Sequence, residues 1–204
     1  VYGPRLAADR NGKADRAYAF RGGRDAIRIA DHELLRPGHI TISAWALRTT
    51  SSSGALVSKT ELTNGSRPAG EQYQLEIDSS ALFLIKRNSE GRPSNGWQRL
   101  SGIGEVGLAQ WVMVTATWNG LSQKLYLDGK MQGKNDNATD GDIDNVLGGE
   151  LLIGSSWAPD HGHFTGSIDD VRIYNRALSA AEVKALYDLE RVPGFVIPDK
   201  AAQA

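Results

Sequence analysis

The feature that most constrains this chain is a strict alternation of apolar and polar residues in several short segments. It runs through residues 40–45, 73–78, 112–118 and 124–128, which are separated by stretches without that pattern. Successive side chains of a β-strand point to opposite faces of the sheet, so each segment is predicted to be a half-buried strand. A chain with so many such strands must pair them into sheets that bury one face.

The links between these segments suit tight turns. Asn119-Gly120 and Asp128-Gly129 supply the positive backbone angles that two-residue hairpins require. The 23 glycines and 7 prolines of the chain are in keeping with many short elements.

One helix is predicted near the C-terminus, over about 179–189. Ser179 and Glu182 have the spacing of a capping box, in which each side chain bonds the backbone N–H of the other residue. Val183, Leu186 and Tyr187 then form an apolar stripe at helical spacing.

No helix pattern separates successive strands, which excludes a parallel α/β fold. The predicted fold class is all-β: a two-sheet antiparallel β-sandwich of jelly-roll type with one short C-terminal helix. Residues 1–16 are predicted to be a lead-in, 17–190 the domain, and 191–204 a tail or linker rich in proline and alanine.

Composition excludes several function classes. The 204 residues carry 23 Lys and Arg against 24 Asp and Glu, a net charge of −1 that argues against a general nucleic-acid binder. No stretch approaches the 18 apolar residues of a membrane span. The absence of cysteine excludes a disulfide framework, a thiolate zinc site and a cysteine nucleophile.

Several segments in order resemble a known family. FRGGRDAIRI at 20–29 and ITISAW at 40–45 are similar to the first two strands of laminin-G-like, concanavalin-A-like domains. WVMVTATW at 111–118 and KLYLDG at 124–129 resemble their central hairpin. GSIDDVRIYNRALS at 166–179, followed by Glu182 and Leu186-Tyr187, resembles the closing strand and helix of the bacterial laminin-G-like jelly rolls.

The resemblance implies a concanavalin-A-like jelly roll and a class of function. The family includes lectins, carbohydrate-binding modules, adhesive domains and spacers, and fold alone does not choose among them. We expect a non-catalytic module of a larger bacterial protein, monomeric, and secreted, periplasmic or exposed at the cell surface. Its expected partner is a glycan or another extracellular polymer. The alternatives are a structural or adhesive protein-interaction module and an atypical glycoside hydrolase.

Asp25 and Asp170 are candidates for a metal site. Asp25 shares the parity of Ile27 and Ile29, and a carboxylate on an apolar side needs partners. Ile168 and Ile173 should both face inward, but they are an odd number of positions apart, and a regular strand would place them on opposite faces. This predicts a bulge at residues 169–170.

The resemblance places the first and last strands side by side and implies a structural calcium in this region. Carbonyls of the turn that begins at Gly22 would complete an all-oxygen site with Asp25 and Asp170. The alternative is that Asp25 accepts backbone N–H bonds while Asp170 pairs with Arg172 or Arg28.

Ligand-facing side chains are predicted in two polar, glycine-rich loops, because flat aromatic rings stack on sugars and loops on a rigid sandwich carry binding residues. The first loop contains Trp97, and the second contains Trp157, His161 and His163. The alternative is that each tryptophan covers a sheet edge. A metal site of both histidines with Asp160 would lack a fourth ligand.

Glycosidase chemistry is not expected. Concanavalin-A-like glucanases carry Glu-x-Asp-x-Glu on one strand, and the nearest segment here is Glu76-Ile77-Asp78-Ser79-Ser80. Ser80 stands where the acid/base glutamate belongs, and one carboxylate cannot fill both roles of a retaining mechanism.

Overall fold

The computed structural model describes residues 3–63, 67–86, 97–136, 143, 149–156 and 162–191. It shows two antiparallel sheets packed face to face and one short α-helix, which confirms the predicted fold class.

Seven strands form the first sheet, in the spatial order β1-β2-β13-β4-β9-β10-β11. Their bounds are β1 Arg5–Ala7, β2 Ala17–Arg21, β4 Ile40–Arg48, β9 Trp111–Trp118, β10 Gln123–Leu127, β11 Lys130–Asn135 and β13 Thr165–Tyr174. Six strands form the second sheet, in the order β3-β12-β5-β6-β7-β8. Their bounds are β3 Ile27–Ile29, β5 Gly54–Thr63, β6 Arg67–Ile77, β7 Ser80–Lys86, β8 Trp97–Glu105 and β12 Leu151–Ile153. A short 3-10 helix, Glu33–Leu35, precedes β4.

The core lies between the sheets and follows the alternation seen in the sequence. From β4, Ile40, Ile42 and Ala44 enter the core, as do Leu75 of β6 and Val114 of β9. All five are completely buried. Burial of this apolar surface is the main driving force for stacking the two sheets.

The outer face of the seven-stranded sheet carries a second apolar cluster beneath the helix α1, Ala180–Glu190. Trp45, Met113 and Tyr126 point outward from the sheet and pack with Val183 of the helix. The ring of Trp45 also stacks on Tyr187, with ring centroids 5.8 Å apart. The helix therefore covers this part of the outer face.

The capping box at the helix N-terminus is confirmed. The backbone N–H of Glu182 donates to Ser179 Oγ at 3.2 Å, and the N–H of Ser179 donates to Glu182 Oε2 at 2.7 Å.

We expect Ser179→Ala to lower the free energy of unfolding by about 1 kcal/mol, because it leaves one N–H of the first turn without its acceptor. Urea denaturation monitored by circular dichroism measures the change. Ser53→Ala, at an exposed serine, is the control and is expected to have little effect. Equal effects of the two substitutions would contradict the capping role.

The first strand expected from the sequence is divided in the structure. Residues 17–21 form β2 in the seven-stranded sheet, whereas 27–29 form β3 at the edge of the six-stranded sheet. The connecting turn contains Gly22 and Gly23, both with positive φ, which lets the chain cross from one sheet to the other.

The bulge predicted from the parity of β13 is confirmed. The register against β4 shifts between Asp169 and Arg172, and Asp170 adopts a φ of +44°. This left-handed conformation is more accessible to aspartate than to most residues. The shift lets Ile168 enter the core while Ile173 packs against it.

Candidate functional site

The outer face of the six-stranded sheet is the candidate binding face. Strand register places one side chain from each strand in a row across it. In order from β3 to β8, the row is Arg28, Leu152, Ser58, Gln74, Leu84 and Arg99. A parallel row contains Glu76, Leu82 and Ser101. We call the part contributed by β6, β7 and β8 (Gln74, Glu76, Leu82, Leu84, Arg99 and Ser101) the β6–β8 face.

A fixed polar pair lies at the centre of this face. Gln74 Nε2 donates to Glu76 Oε2 at 2.6 Å, from the next position on the same side of β6. Gln74 is buried and Glu76 is half-buried. Gln74 Oε1 and Ser58 Oγ are buried without a hydrogen-bond partner within the described part of the chain. Buried polar atoms of this kind are uncommon and call for an explanation.

An apolar strip and an exposed polar edge lie beside this pair. Leu82 and Leu84 stand two residues apart on β7, at a spacing of about 7 Å along the strand. Leu84 is half-buried, whereas Leu82 is only 6% exposed. On β8, the side chains of Arg99 and Ser101 are exposed next to them, and Ile103 on the same side of the strand is 88% exposed. The accessible part of the β6–β8 face therefore combines the hydrogen-bonding groups of Glu76, Arg99 and Ser101 with the apolar side chain of Leu84.

The predicted ligand residues are described only in part. Trp97, expected in a loop, is the first residue of β8, with its backbone opposite Lys86. Trp157 and His161 lie outside the described residues. Nδ1 of His163 lies 2.9 Å from the hydroxyl oxygen of buried Ser155. A ligand role for these four residues stays a prediction.

Asp25 lies in the turn between β2 and β3 and is 3% exposed. Its carboxylate accepts backbone N–H bonds from Gly3 and Arg21, and the Arg21 guanidinium bonds both of its oxygens at 2.8 and 2.9 Å. The carbonyl oxygen of Gly22 accepts the backbone N–H of Asp25. These bonds correspond to the alternative in which Asp25 is satisfied by N–H donors.

Asp170 has different partners. Nη1 of Arg10 lies 2.7 Å from a carboxylate oxygen of Asp170 and equally close to one of Asp169, while its guanidinium sits 4.8 Å from the ring centre of Trp45. Of the two cations expected near Asp170, Arg172 lies 3.6 Å from its carboxylate, whereas Arg28 pairs with Glu150. Arg10, 160 residues away in sequence, is a partner that strand patterns could not reveal.

The structure pairs β2 with β13, as expected, but does not bring Asp25 and Asp170 to one ion. Arg21, beside Asp25, is opposite Thr165, and Asp170 follows five residues later along β13, about 16 Å away. Within the described residues, no group of three or more His, Asp or Glu side chains could hold a metal. The described residues thus do not fit one calcium site built from both carboxylates, and a calcium requirement stays a prediction of the resemblance.

A second buried ionic cluster lies at the middle of β5. The Lys59 side chain is completely buried, and its Nζ donates to Asp31 Oδ1 at 2.6 Å and to the carbonyl of Gly149. Arg36 pairs with the other oxygen of Asp31. Hydrogen bonds from Arg36 and Lys59 lower the pKa of Asp31 to about 2.

The lowered pKa values of Asp25 and Asp31 predict that the folded domain loses stability in acid. A hydrogen bond from the Arg21 guanidinium lowers the pKa of Asp25. The pKa of an aspartate in an unfolded chain is about 3.9. A depressed folded pKa contributes stability that is present above the unfolded value and is lost as the pH falls towards the folded value. We expect the urea midpoint to hold from pH 7 to 5 and to fall below pH 4. The Asp25→Asn/Asp31→Asn variant should show a shallower decline, and an equal slope would contradict this account.

Residues 76–80, the segment nearest to a glucanase motif, do not form a catalytic pair of carboxylates in the structure. Glu76 is bonded to Gln74, while Asp78 lies in the turn after β6, and Ser80 begins β7. The Glu-x-Asp-x-Glu strand geometry is therefore not formed here.

No helix in the described part of the chain is long and apolar enough to cross a membrane.

Comparison with solved structures gives the same fold at low sequence identity. CBM40 of the Ruminococcus gnavus IT-sialidase, bound to α2,3-sialyllactose, has a TM-score of 0.67 and 17% identity, covering 84% of this chain and 96% of that one. Domain 4 of AbnA, a GH43 extracellular arabinanase from Geobacillus stearothermophilus, in complex with arabinotriose, has a TM-score of 0.64 and 18% identity, covering 90% and 81%. The heptameric SAP-like pentraxin from Limulus polyphemus has a TM-score of 0.59 and 17% identity, covering 83% and 80%.

No curated protein sequence matches the chain. A family model does match, over residues 21–184, a range that contains the strands β3 to β13 and the first half of the helix. The two-sheet sandwich agrees with this match, and the chain belongs to the laminin-G-like family of the concanavalin A-like lectin/glucanase superfamily.

Proposed function

We propose that this domain is a non-catalytic module that binds a carbohydrate chain on the β6–β8 face. A sugar ring presents hydroxyl groups at its edge and C–H groups on its faces, so a site for it combines hydrogen-bonding groups with an apolar surface. The observation that carries the proposal is that combination: the Gln74–Glu76 pair lies beside the half-buried side chain of Leu84. Two relatives of the same fold were solved with bound oligosaccharides, which supports the proposal.

Each part of the face has a distinct role in the proposed complex. The Glu76 carboxylate, oriented by Gln74, accepts hydrogen bonds from sugar hydroxyls, and Arg99 and Ser101 donate from the exposed edge. Leu84 excludes water beneath the ring, and buried Leu82 packs next to it on β7. On the other sheet, the helix α1 covers part of the outer face.

We also propose that the domain works outside the cytoplasm as one monomeric module of a larger bacterial protein. The extracellular arabinanase that contains a similar domain supports this placement. The alternatives of an adhesive module and an atypical glycoside hydrolase stay predictions.

Binding to a glycan array by the purified domain tests the proposed function, followed by calorimetry with the strongest ligand. We expect Glu76→Ala to weaken binding at least about tenfold, the effect of losing a hydrogen bond to a charged group. Glu33→Ala, at an exposed glutamate of the 3-10 helix, is the matched control and should bind as the native domain does. Silence across the array, or unchanged affinity in Glu76→Ala, would overturn the proposal.

A further inference from the structure

The turn between β2 and β3 brings four oxygen atoms together around a buried charge. They are both carboxylate oxygens of Asp25 and the carbonyl oxygens of Gly22 and Gly3. All-oxygen sets of this kind, one carboxylate with backbone carbonyls, are what a hard divalent cation such as Ca²⁺ selects.

Every one of these oxygens already accepts a hydrogen bond. The Arg21 guanidinium donates Nε to Asp25 Oδ2 at 2.8 Å and Nη2 to Oδ1 at 2.9 Å, and Nη2 also donates to Gly3 O at 3.3 Å. The backbone N–H groups of Arg21 and Gly3 donate to the carboxylate at 3.0 and 3.1 Å. The Gly22 carbonyl accepts from the N–H of Asp25 at 3.2 Å.

This arrangement already satisfies the carboxylate, because each oxygen of Asp25 accepts two N–H bonds and the Arg21 guanidinium neutralises its charge. Calcium needs six to eight oxygen ligands, and here N–H donors point at each available oxygen. The planar guanidinium matches both oxygens of a carboxylate at once, which a point charge does not. A divalent ion would have to displace Arg21 and then lie beside its positive charge.

We propose that the guanidinium of Arg21 is the resident cation of this turn, so that the native domain takes no Ca²⁺ at Asp25. The same side chain holds the N-terminal segment, because it bonds Gly3 as well as Asp25. Arg21 thus fastens the residues before β1 to the crossover between the two sheets. Its side chain is half exposed whereas that of Asp25 is buried, so the charge pair closes the turn from the solvent side.

Thermal and urea unfolding in Ca²⁺ and in EDTA test this proposal. We expect the native domain to have the same Tm in both, and Arg21→Ala to raise the unfolding constant roughly tenfold, as expected on losing a charged hydrogen-bonding partner. Arg21→Lys should fall between the two because one ammonium cannot bridge both oxygens. Arg24→Ala, at an exposed arginine of the same turn, is the matched control and should leave stability unchanged.

Two results would overturn the proposal. One is a rise in the Tm of the native domain with Ca²⁺ that disappears in Asp25→Asn, which would place a metal at this carboxylate. The other is an Arg21→Ala variant as stable as Arg24→Ala. Both measurements are independent of glycan binding, so they hold whether or not the proposed function is correct.

Discussion

Replacing Gly166 by alanine is expected to cost about 3–5 kcal/mol of the free energy of unfolding, or to prevent folding. Gly166 lies in the central strand β13, opposite Phe20 of β2 and Arg48 of β4. Its φ of +147° is a conformation that essentially only glycine adopts. A Cβ here would also overlap the carbonyl oxygen of Leu47, which the strand pairing fixes in place.

Gly12→Ala separates the two causes of this effect. Gly12 also has a positive φ, +75°, but a Cβ there would have nothing within 4 Å. It should cost only about 1–2 kcal/mol, the strain of a left-handed alanine. Expression yield and urea denaturation of both variants measure the difference, and a Gly166→Ala domain as stable as Gly12→Ala would contradict the close approach of β13 to β4.

Asp31→Ala is the second substitution with a large expected effect. Removing the carboxylate leaves the completely buried ammonium of Lys59 without its counter-charge. Breaking one partner of a buried ion pair costs about 3–5 kcal/mol, far more than an exposed pair contributes. Urea denaturation at pH 7 measures the loss.

The double variant Asp31→Ala/Lys59→Met is the control for this interpretation. Methionine has similar length to the lysine stem and carries no charge, so most of the lost stability should return. The side chain of Arg36, which also pairs with Asp31, is partly exposed and can be solvated. A double variant no more stable than Asp31→Ala would show that the buried charge is not the cause.

Local sequence patterns predicted the parts of this fold that depend on neighbouring residues. Alternation assigned Leu75 and Val114 to the core, and the parity slip near Asp169 located the bulge, because both follow from the two-residue repeat of a strand. The spacing of Ser179 and Glu182 likewise identified the helix N-terminus.

Contacts between distant residues could not be predicted in this way. Nothing in the pattern around Asp170 indicates Arg10, since the pair forms only after β13 and the N-terminal segment have been placed. The same holds for Lys59. Its charge suggests an exposed position, but the side chain is buried against Asp31, which follows the edge strand β3. The β6–β8 face depends on strand order as well, because Leu84 meets Gln74 and Arg99 only through pairing.

NMR shift mapping can locate the glycan site within the domain. The ¹⁵N-labelled domain would be titrated with the glycan selected from the array. We expect the largest amide shifts on β6, β7 and β8, around Gln74, Glu76, Leu84 and Arg99. Shifts confined to the seven-stranded sheet or to the loop around Ser155 and His163 would contradict it.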